Sequence, residues 1–173
     1  MPRRMMPAFR LVPLAVADAA PLAAFEAANR DWFEQSVPPR PEAHFDADAL
    51  DEILRDLLEG PEAGSQRLFL IRGAADEILG RINLTGIEGG TAQVGYRVGA
   101  AQAGRGLARA ALGAMVQAAP GLGLSRLEAR VAKGNPASER VLRANGFAPT
   151  GRNLPEVELH GAPLTVTHYA RAV

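Results

Sequence analysis

The chain has 173 residues, 19 Lys plus Arg against 19 Asp plus Glu, and no cysteine. This length fits one domain that buries roughly 70% of its unfolded surface and needs no covalent staple. Disulfides, thiolate metal sites and a cysteine nucleophile are excluded, the balanced charge gives no nucleic-acid footprint, and His44, His160 and His168 show no metal-binding spacing.

Arg3, Arg4 and Arg10 precede an apolar run, Leu11 to Ala17, in the manner of a short signal peptide. Pro13 interrupts that run and Asp18 ends it, so we expect a first strand over Phe9 to Pro13 and a cytoplasmic protein. No run approaches the ~20 apolar residues of a membrane span. Asp18 is placed to cap a helix with Leu22, Phe25 and Ala28 on one face. Asn29 to Phe33 and the proline-rich Val37 to Pro41 follow. Trp32 and Phe33 either pack on the core or wall a substrate cleft that the prolines stiffen. A second helix starts after Asp46 or Asp48, carries Leu50, Ile53, Leu54, Leu57 and Leu58 at helical spacing, and stops at Gly60-Pro61.

Strands are predicted over Gln66–Arg72 and Glu77–Leu84, with a hairpin at Gly73 to Asp76. Gly86 to Gly90 turns into a third, Thr91–Val98, where Ala92, Val94, Tyr96 and Val98 alternate with polar residues or glycine. Gly104-Arg105-Gly106 then opens a helix with Leu107, Ala108, Ala111, Leu112, Met115 and Val116 as its apolar positions, ending at Ala119 before Pro120-Gly121. Strand, glycine turn and helix together hold an anion: the first helical N–H groups have no internal partner and point into the loop. A P-loop needs Gly-Lys-Ser/Thr, and Leu107-Ala108 stands there instead. A dinucleotide fingerprint needs a third glycine, and Arg109 occupies its place. Some other phosphate-bearing ligand is left.

Leu127–Val131 alternates as a strand. Asn135-Pro136 opens a short helix with Val141 and Leu142 on its buried face, Gly146 suits the position after its end, and Phe147 anchors the exit. The tail, Ala148–Glu158 and Leu164–Ala170 about His160-Gly161, reads as a closing hairpin. No linker, composition break or internal repeat divides the chain.

This order of elements, with the glycine loop, Asn135-Pro-Ala-Ser138 and Asn145-Gly-Phe147, resembles the GNAT superfamily of acyl-CoA-dependent N-acyltransferases. Within it the chain is similar to the group that includes the ribosomal-protein alanine N-acetyltransferases, as are Phe9 to Leu14 and Asn29 to Phe33. The resemblance covers almost all of residues 1–173 and implies a single GNAT-like domain. Its fold is α/β (α+β), a mixed, mainly antiparallel sheet of six or seven strands with helices on both faces. Thr91–Val98 and Leu127–Val131 run parallel and splay apart to admit the acyl-CoA arm.

The family's loop motif, Arg/Gln-x-x-Gly-x-Gly/Ala, falls on Ala103, Gly104, Arg105, Gly106, Leu107 and Ala108, with Ala103 in place of Arg or Gln and Gln102 adjacent. The resemblance implies that this loop binds the pyrophosphate of acetyl-CoA through backbone N–H groups. It also implies that Asn135 borders the pantetheine arm and that Ser138 lies near the thioester sulfur; the plainer alternative is that Asn135 only caps its helix. Direct transfer to an amine follows, with a backbone N–H near Val98 for the oxyanion and Ser138 as proton donor to the thiolate. Glu158 is the base, with Glu156 its rival; a solvated charged strand is the alternative for both.

The expected acceptor is the N-terminal α-amine of a protein or peptide, with Trp32, Phe33 and Glu156 in its cleft. Alternatives are a small amine (antibiotic, polyamine or amino acid) or an acyl-CoA sensor without turnover. No metal, nucleic acid or membrane is expected, and the protein is a monomer or homodimer.

Overall fold

The computed structural model describes residues 5–173, apart from the side chains of residues 153–157. Arg3 and Arg4 of the signal-like run lie outside the described residues. One seven-stranded sheet collects β1 (Phe9–Pro13), β2 (Arg67–Gly73), β3 (Ile78–Glu88), β4 (Thr91–Val98), β5 (Arg126–Ala132), β6 (Ala148–Leu159) and β7 (Ala162–Ala172). Its spatial order is β1-β2-β3-β4-β5-β7-β6. Every neighbouring pair is antiparallel except β4 and β5, which run parallel. The helices are α1 (Ala19–Ala28), α2 (Arg30–Glu34), α3 (Ala47–Glu59), α4 (Leu107–Ala118) and α5 (Pro136–Ala144).

Alternation along the strands gives the sheet two apolar faces. On one, Ile82, Leu84, Ala92 and Val94 pack with Leu107, Ala111, Leu112 and Met115 of α4 and Leu142 of α5. On the other, Leu68 and Leu70 of β2 meet Leu22 of α1 and Leu50 and Leu54 of α3. Each fully buried leucine contributes roughly 1.5–3 kcal/mol. Helices therefore cover both faces.

Local details depart from the sequence reading in physically sensible ways. Asp18 precedes α1 but does not cap it. Both carboxylate oxygens are engaged elsewhere: Oδ2 accepts from the Ala15 N–H at 2.9 Å, closing the turn before α1, and Oδ1 pairs with Arg72 at 2.5 Å. Ala28 is exposed, so the buried stripe of α1 is Ala19, Leu22, Ala23 and Glu26. Asp46, and not Asp48, caps α3 by accepting from the Ala49 N–H at 2.8 Å. β3 continues to Glu88, four residues past the expected Leu84, because it stays paired with β4 almost to the turn.

The parallel pair positions the site. β4 meets β5 only at Thr91↔Arg126, Ala92↔Leu127 and Gln93↔Glu128. Beyond these, β4 is held by β3 as far as Val98↔Gly80, while β5 is held by β7 as far as Ala132↔Val166. The two strands splay because each keeps its antiparallel partner, which leaves a gap between their C-terminal ends.

Candidate functional site

The gap has a backbone wall. The Gly99 N–H donates to the Leu79 carbonyl at 2.9 Å. Antiparallel ladders alternate, so the N–H and C=O of Val98, one residue earlier, face away from β3 and into the gap. Gly80, opposite Val98, allows this close approach: a Cβ there would lie 2.4 Å from the Arg97 carbonyl oxygen.

The glycine loop lies beyond the end of β4. Gly104 and Gly106 have φ of +70° and +84°, and a Cβ on either would meet nothing within 4 Å. Both conditions leave the backbone open to a ligand. The first intrahelical bond of α4 runs from the Ala110 N–H to the Gly106 carbonyl at 3.0 Å, so the N–H groups of Leu107, Ala108 and Arg109 precede it. No acidic residue lies in this first turn. The cradle fits a pyrophosphate. The Leu107 side chain is in the core, so only its backbone faces the loop. The Ala103 and Arg105 N–H groups already donate to Ala100 and Gln102. The Arg105 guanidinium bonds Gln102 Oε1 at 3.0 Å and the Met5 carbonyl at 2.8 Å.

Across the gap stands the first turn of α5. Asn135 Oδ1 accepts from the Ser138 N–H at 3.2 Å, with Pro136 at the first helical position, so Asn135 does cap the helix. The Ser138 hydroxyl lies 3.0 Å from the Tyr96 hydroxyl of β4. The Tyr96 hydroxyl also approaches the Ser138 carbonyl at 3.3 Å. Burial raises the Tyr96 pKa, opposed by the Ser138 hydrogen bond, so the phenol is a neutral donor at physiological pH.

A third wall comes from α2. Trp32, 39% exposed, donates its indole N–H to the Val98 carbonyl at 3.1 Å, while Phe33 is buried. The aromatic pair is thus divided between the mouth of the gap and the core. Asn29 ties the same segment down, accepting from the Ala100 N–H at 2.9 Å and donating to the Phe25 carbonyl at 2.9 Å. Glu158 is exposed and pairs with Pro163 where the β6–β7 hairpin extends past the end of β5. It belongs to the overhang beside the gap and not to the Tyr96–Ser138 contact. The side chain of Glu156 lies outside the described residues.

Two groups escaped the sequence reading. Tyr96 was one more residue in an alternating strand; its signal was the buried phenol, whose polar tip needs a partner. The other is a charge cluster on the α1 face, where Glu26 meets Arg81 at 3.3 Å, Arg97 at 3.4 Å and Arg40 at 3.5 Å. Its signal was Glu26 four residues after Leu22, a charge on an apolar stripe.

A splayed parallel pair, a glycine cradle opening a helix and a hydroxyl at the far wall are the features that the resemblance to acyl-CoA-dependent N-acyltransferases implied. The chain belongs to the GNAT acetyltransferase family: the acetyltransferase (GNAT) domain profile matches residues 9–148. It is 31% identical over 154 residues to the probable N-acetyltransferase YjcK of Bacillus subtilis (strain 168), covering 86% of this chain and 85% of that protein. Among solved structures, it is similar to the ribosomal-protein-S5-alanine acetyltransferase from Vibrio fischeri, with a TM-score of 0.88, 21% identity and coverage of 95% and 92% of the two chains. The spermidine N-acetyltransferase from Vibrio cholerae, in complex with CoA and spermine, has a TM-score of 0.80, 19% identity and coverage of 95% of both chains. These two structures share the fold. The protein is an acetyl-CoA-dependent N-acetyltransferase. Among the described residues, no helix is long and apolar enough to cross a membrane.

Proposed function

We propose that this acetyltransferase moves the acetyl group of acetyl-CoA directly to the N-terminal α-amine of a protein or peptide, with residues 1–173 acting as one domain. The observation that carries this choice of acceptor is the charge on the α1 face. A polycation needs free carboxylates there, whereas arginines already hold each one present: Arg40, Arg81 and Arg97 hold Glu26, and Arg30 holds Glu34 and Glu42. Gly95, on the same face in mid-strand, is exposed, and a Cβ there would meet nothing within 4 Å, so an extended segment has room to approach.

In this reading the Leu107, Ala108 and Arg109 N–H groups take the pyrophosphate. Asn135 holds the turn of α5 beside the pantetheine arm. The amine nitrogen attacks the thioester carbonyl, and the Val98 N–H stabilises the oxyanion. The carbon–sulfur bond then breaks, Ser138 gives its proton to the departing thiolate, and its oxygen is reprotonated from solvent. The amine's own proton leaves to Glu158 or to water. An α-amine has a pKa of about 7.7–8.0 and lysine about 10.4, so deprotonating lysine at pH 7 costs roughly 3 kcal/mol more. A site whose base candidate is an exposed carboxylate suits the α-amine.

Acetyl-CoA consumption measured against peptides with free N-termini, spermidine, an aminoglycoside and free amino acids tests the reading. Turnover is expected with the peptides; turnover with spermidine alone overturns it.

A further inference from the structure

A buried ion pair, Glu26 with Arg81, is flanked by the partly exposed Arg40 and Arg97 beside the mouth of the gap. Glu26 is 1% exposed and Arg81 is 6% exposed. Arg81 and Arg97 are direct cross-strand partners, a like-charged pair that is unfavourable unless something neutralises it. Glu26 reaches both, and Arg40 from the proline-rich segment joins them. The recess itself is lined by Arg30, Arg40 and Arg97 against Glu26 and Glu34, one positive charge in excess. Glu34, which lines the same recess, is bonded to Arg30 at 2.9 Å, and Arg30 also holds Glu42 at 2.6 Å. Burial, with the charge of Arg40 second, pushes Arg97 down to about 10. Arg81 Nε is buried without a hydrogen-bond partner, and Arg40 Nε has only its 3.5 Å ion pair with Glu26.

Between Glu26, Arg40 and Arg97, walled by Phe33 and Phe45, is a recess of about 10 Å³, room for one oxygen-sized group. A water there could accept one hydrogen bond from a guanidinium but could not offset the surplus charge. The recess adjoins the reaction site through the chain itself. Arg97 precedes Val98, Phe33 follows Trp32, and Trp32 is bonded to Val98. The Arg97 guanidinium lies 4.7 Å from the centroid of the Phe33 ring.

We infer that this cluster is an anion subsite for the acceptor, in which one oxygen of a carboxylate carried by the amine-bearing molecule enters the recess and bonds Arg40 and Arg97. The inference rests on the reading that the acceptor amine enters beside Trp32. Two sources present this chemistry: an acidic side chain near the start of a peptide, or the α-carboxylate of a very short one. A charge-assisted pair with guanidinium groups is among the stronger hydrogen bonds and gives a preference of about tenfold or more.

The test compares kcat/KM within matched pairs. Peptides with Asp or Glu at position two or three are set against their Asn or Gln counterparts. Ala-Ala is set against Ala-Ala amide, and γ-aminobutyrate against its amide. At least one acidic partner should be favoured about tenfold, and Arg40→Gln should cut that ratio below about threefold. Arg97→Gln serves where Arg40→Gln does not fold. Peptides acetylated with ratios near one in every pair overturn the subsite and leave the peptide reading standing. A preserved ratio in a folded variant overturns it too. Turnover of γ-aminobutyrate alone, with its amide rejected, upholds the subsite and removes the peptide reading.

Discussion

The Tyr96 hydroxyl stands 3.0 Å from the Ser138 hydroxyl, and this contact joins β4 to α5 across the gap that their neighbours hold open. It gives the proposed proton donor a neutral partner, because burial keeps the phenol protonated. Ser138→Ala should lower kcat by about 10²-fold, the low end of general-acid effects, since a thiol of pKa about 8.5 is already a fair leaving group. Acetyl-CoA affinity should stay within a few-fold. Tyr96→Phe should lower kcat less, by several-fold, as it removes only the orienting contact. Steady-state kinetics with affinity measured separately checks both; normal kcat in Ser138→Ala returns that residue to a structural role.

The same burial makes a prediction about stability and pH. The folded-state pKa of Tyr96 is raised above its unfolded value, ordinarily about 10. Its contribution is therefore complete below about pH 10 and is lost as pH rises through the folded value, because the unfolded chain gives up its proton first. Urea midpoints at pH 8 and pH 11 should fall further in the parent protein than in Tyr96→Phe. Equal falls would show that Tyr96 ionises as freely in the folded chain as in the unfolded one.

Gly106 combines a left-handed backbone with an open approach. Gly106→Asp should weaken acetyl-CoA binding at least tenfold, while Gly106→Asn, of similar size and equally tolerant of positive φ, should weaken it less. The difference between the two isolates the charge. Calorimetry that finds both equal to the parent removes the loop from the site.

Gly80→Ala tests the frame. Its Cβ would meet the Arg97 carbonyl oxygen at 2.4 Å and Val98 Cα at 3.1 Å, and neither backbone atom can yield cheaply. The cost should be about 1–3 kcal/mol in urea unfolding, with the loss of activity exceeding the loss of folded protein because β4 carries Val98.

Trp32→Phe removes the bond from the indole N–H to the Val98 carbonyl and keeps an aromatic ring. A bond of this kind contributes about 1 kcal/mol. KM for the acceptor should rise about fivefold with acetyl-CoA affinity unchanged. A change in acetyl-CoA affinity alone would place Trp32 on the other side of the site.

Most of the frame was legible in the sequence because it depends on local signals. Alternation placed β4 and β5, Asn135-Pro136 marked the start of α5, and Gly146 took its left-handed place after the helix, with φ of +78°. The resemblance anticipated the splay, and the sheet register shows it. What stayed hidden depends on long-range partners. Asp18 is followed by a helix, as a cap should be, but Arg72, 54 residues away, claims its carboxylate. Arg81 and Arg97 become one cluster only when β3 pairs with β4, and Glu26 joins them only when α1 docks. Tyr96 meets Ser138 only once the gap exists.

Mass spectrometry of one peptide offers the most direct measurement of the central claim. The peptide carries a free N-terminal alanine and an internal lysine, and it is incubated with the enzyme and acetyl-CoA. Fragmentation should place a single acetyl group on the N-terminal α-amine and leave the lysine unmodified. An acetyl group on the lysine, or an untouched peptide under conditions in which spermidine is acetylated, would contradict the account.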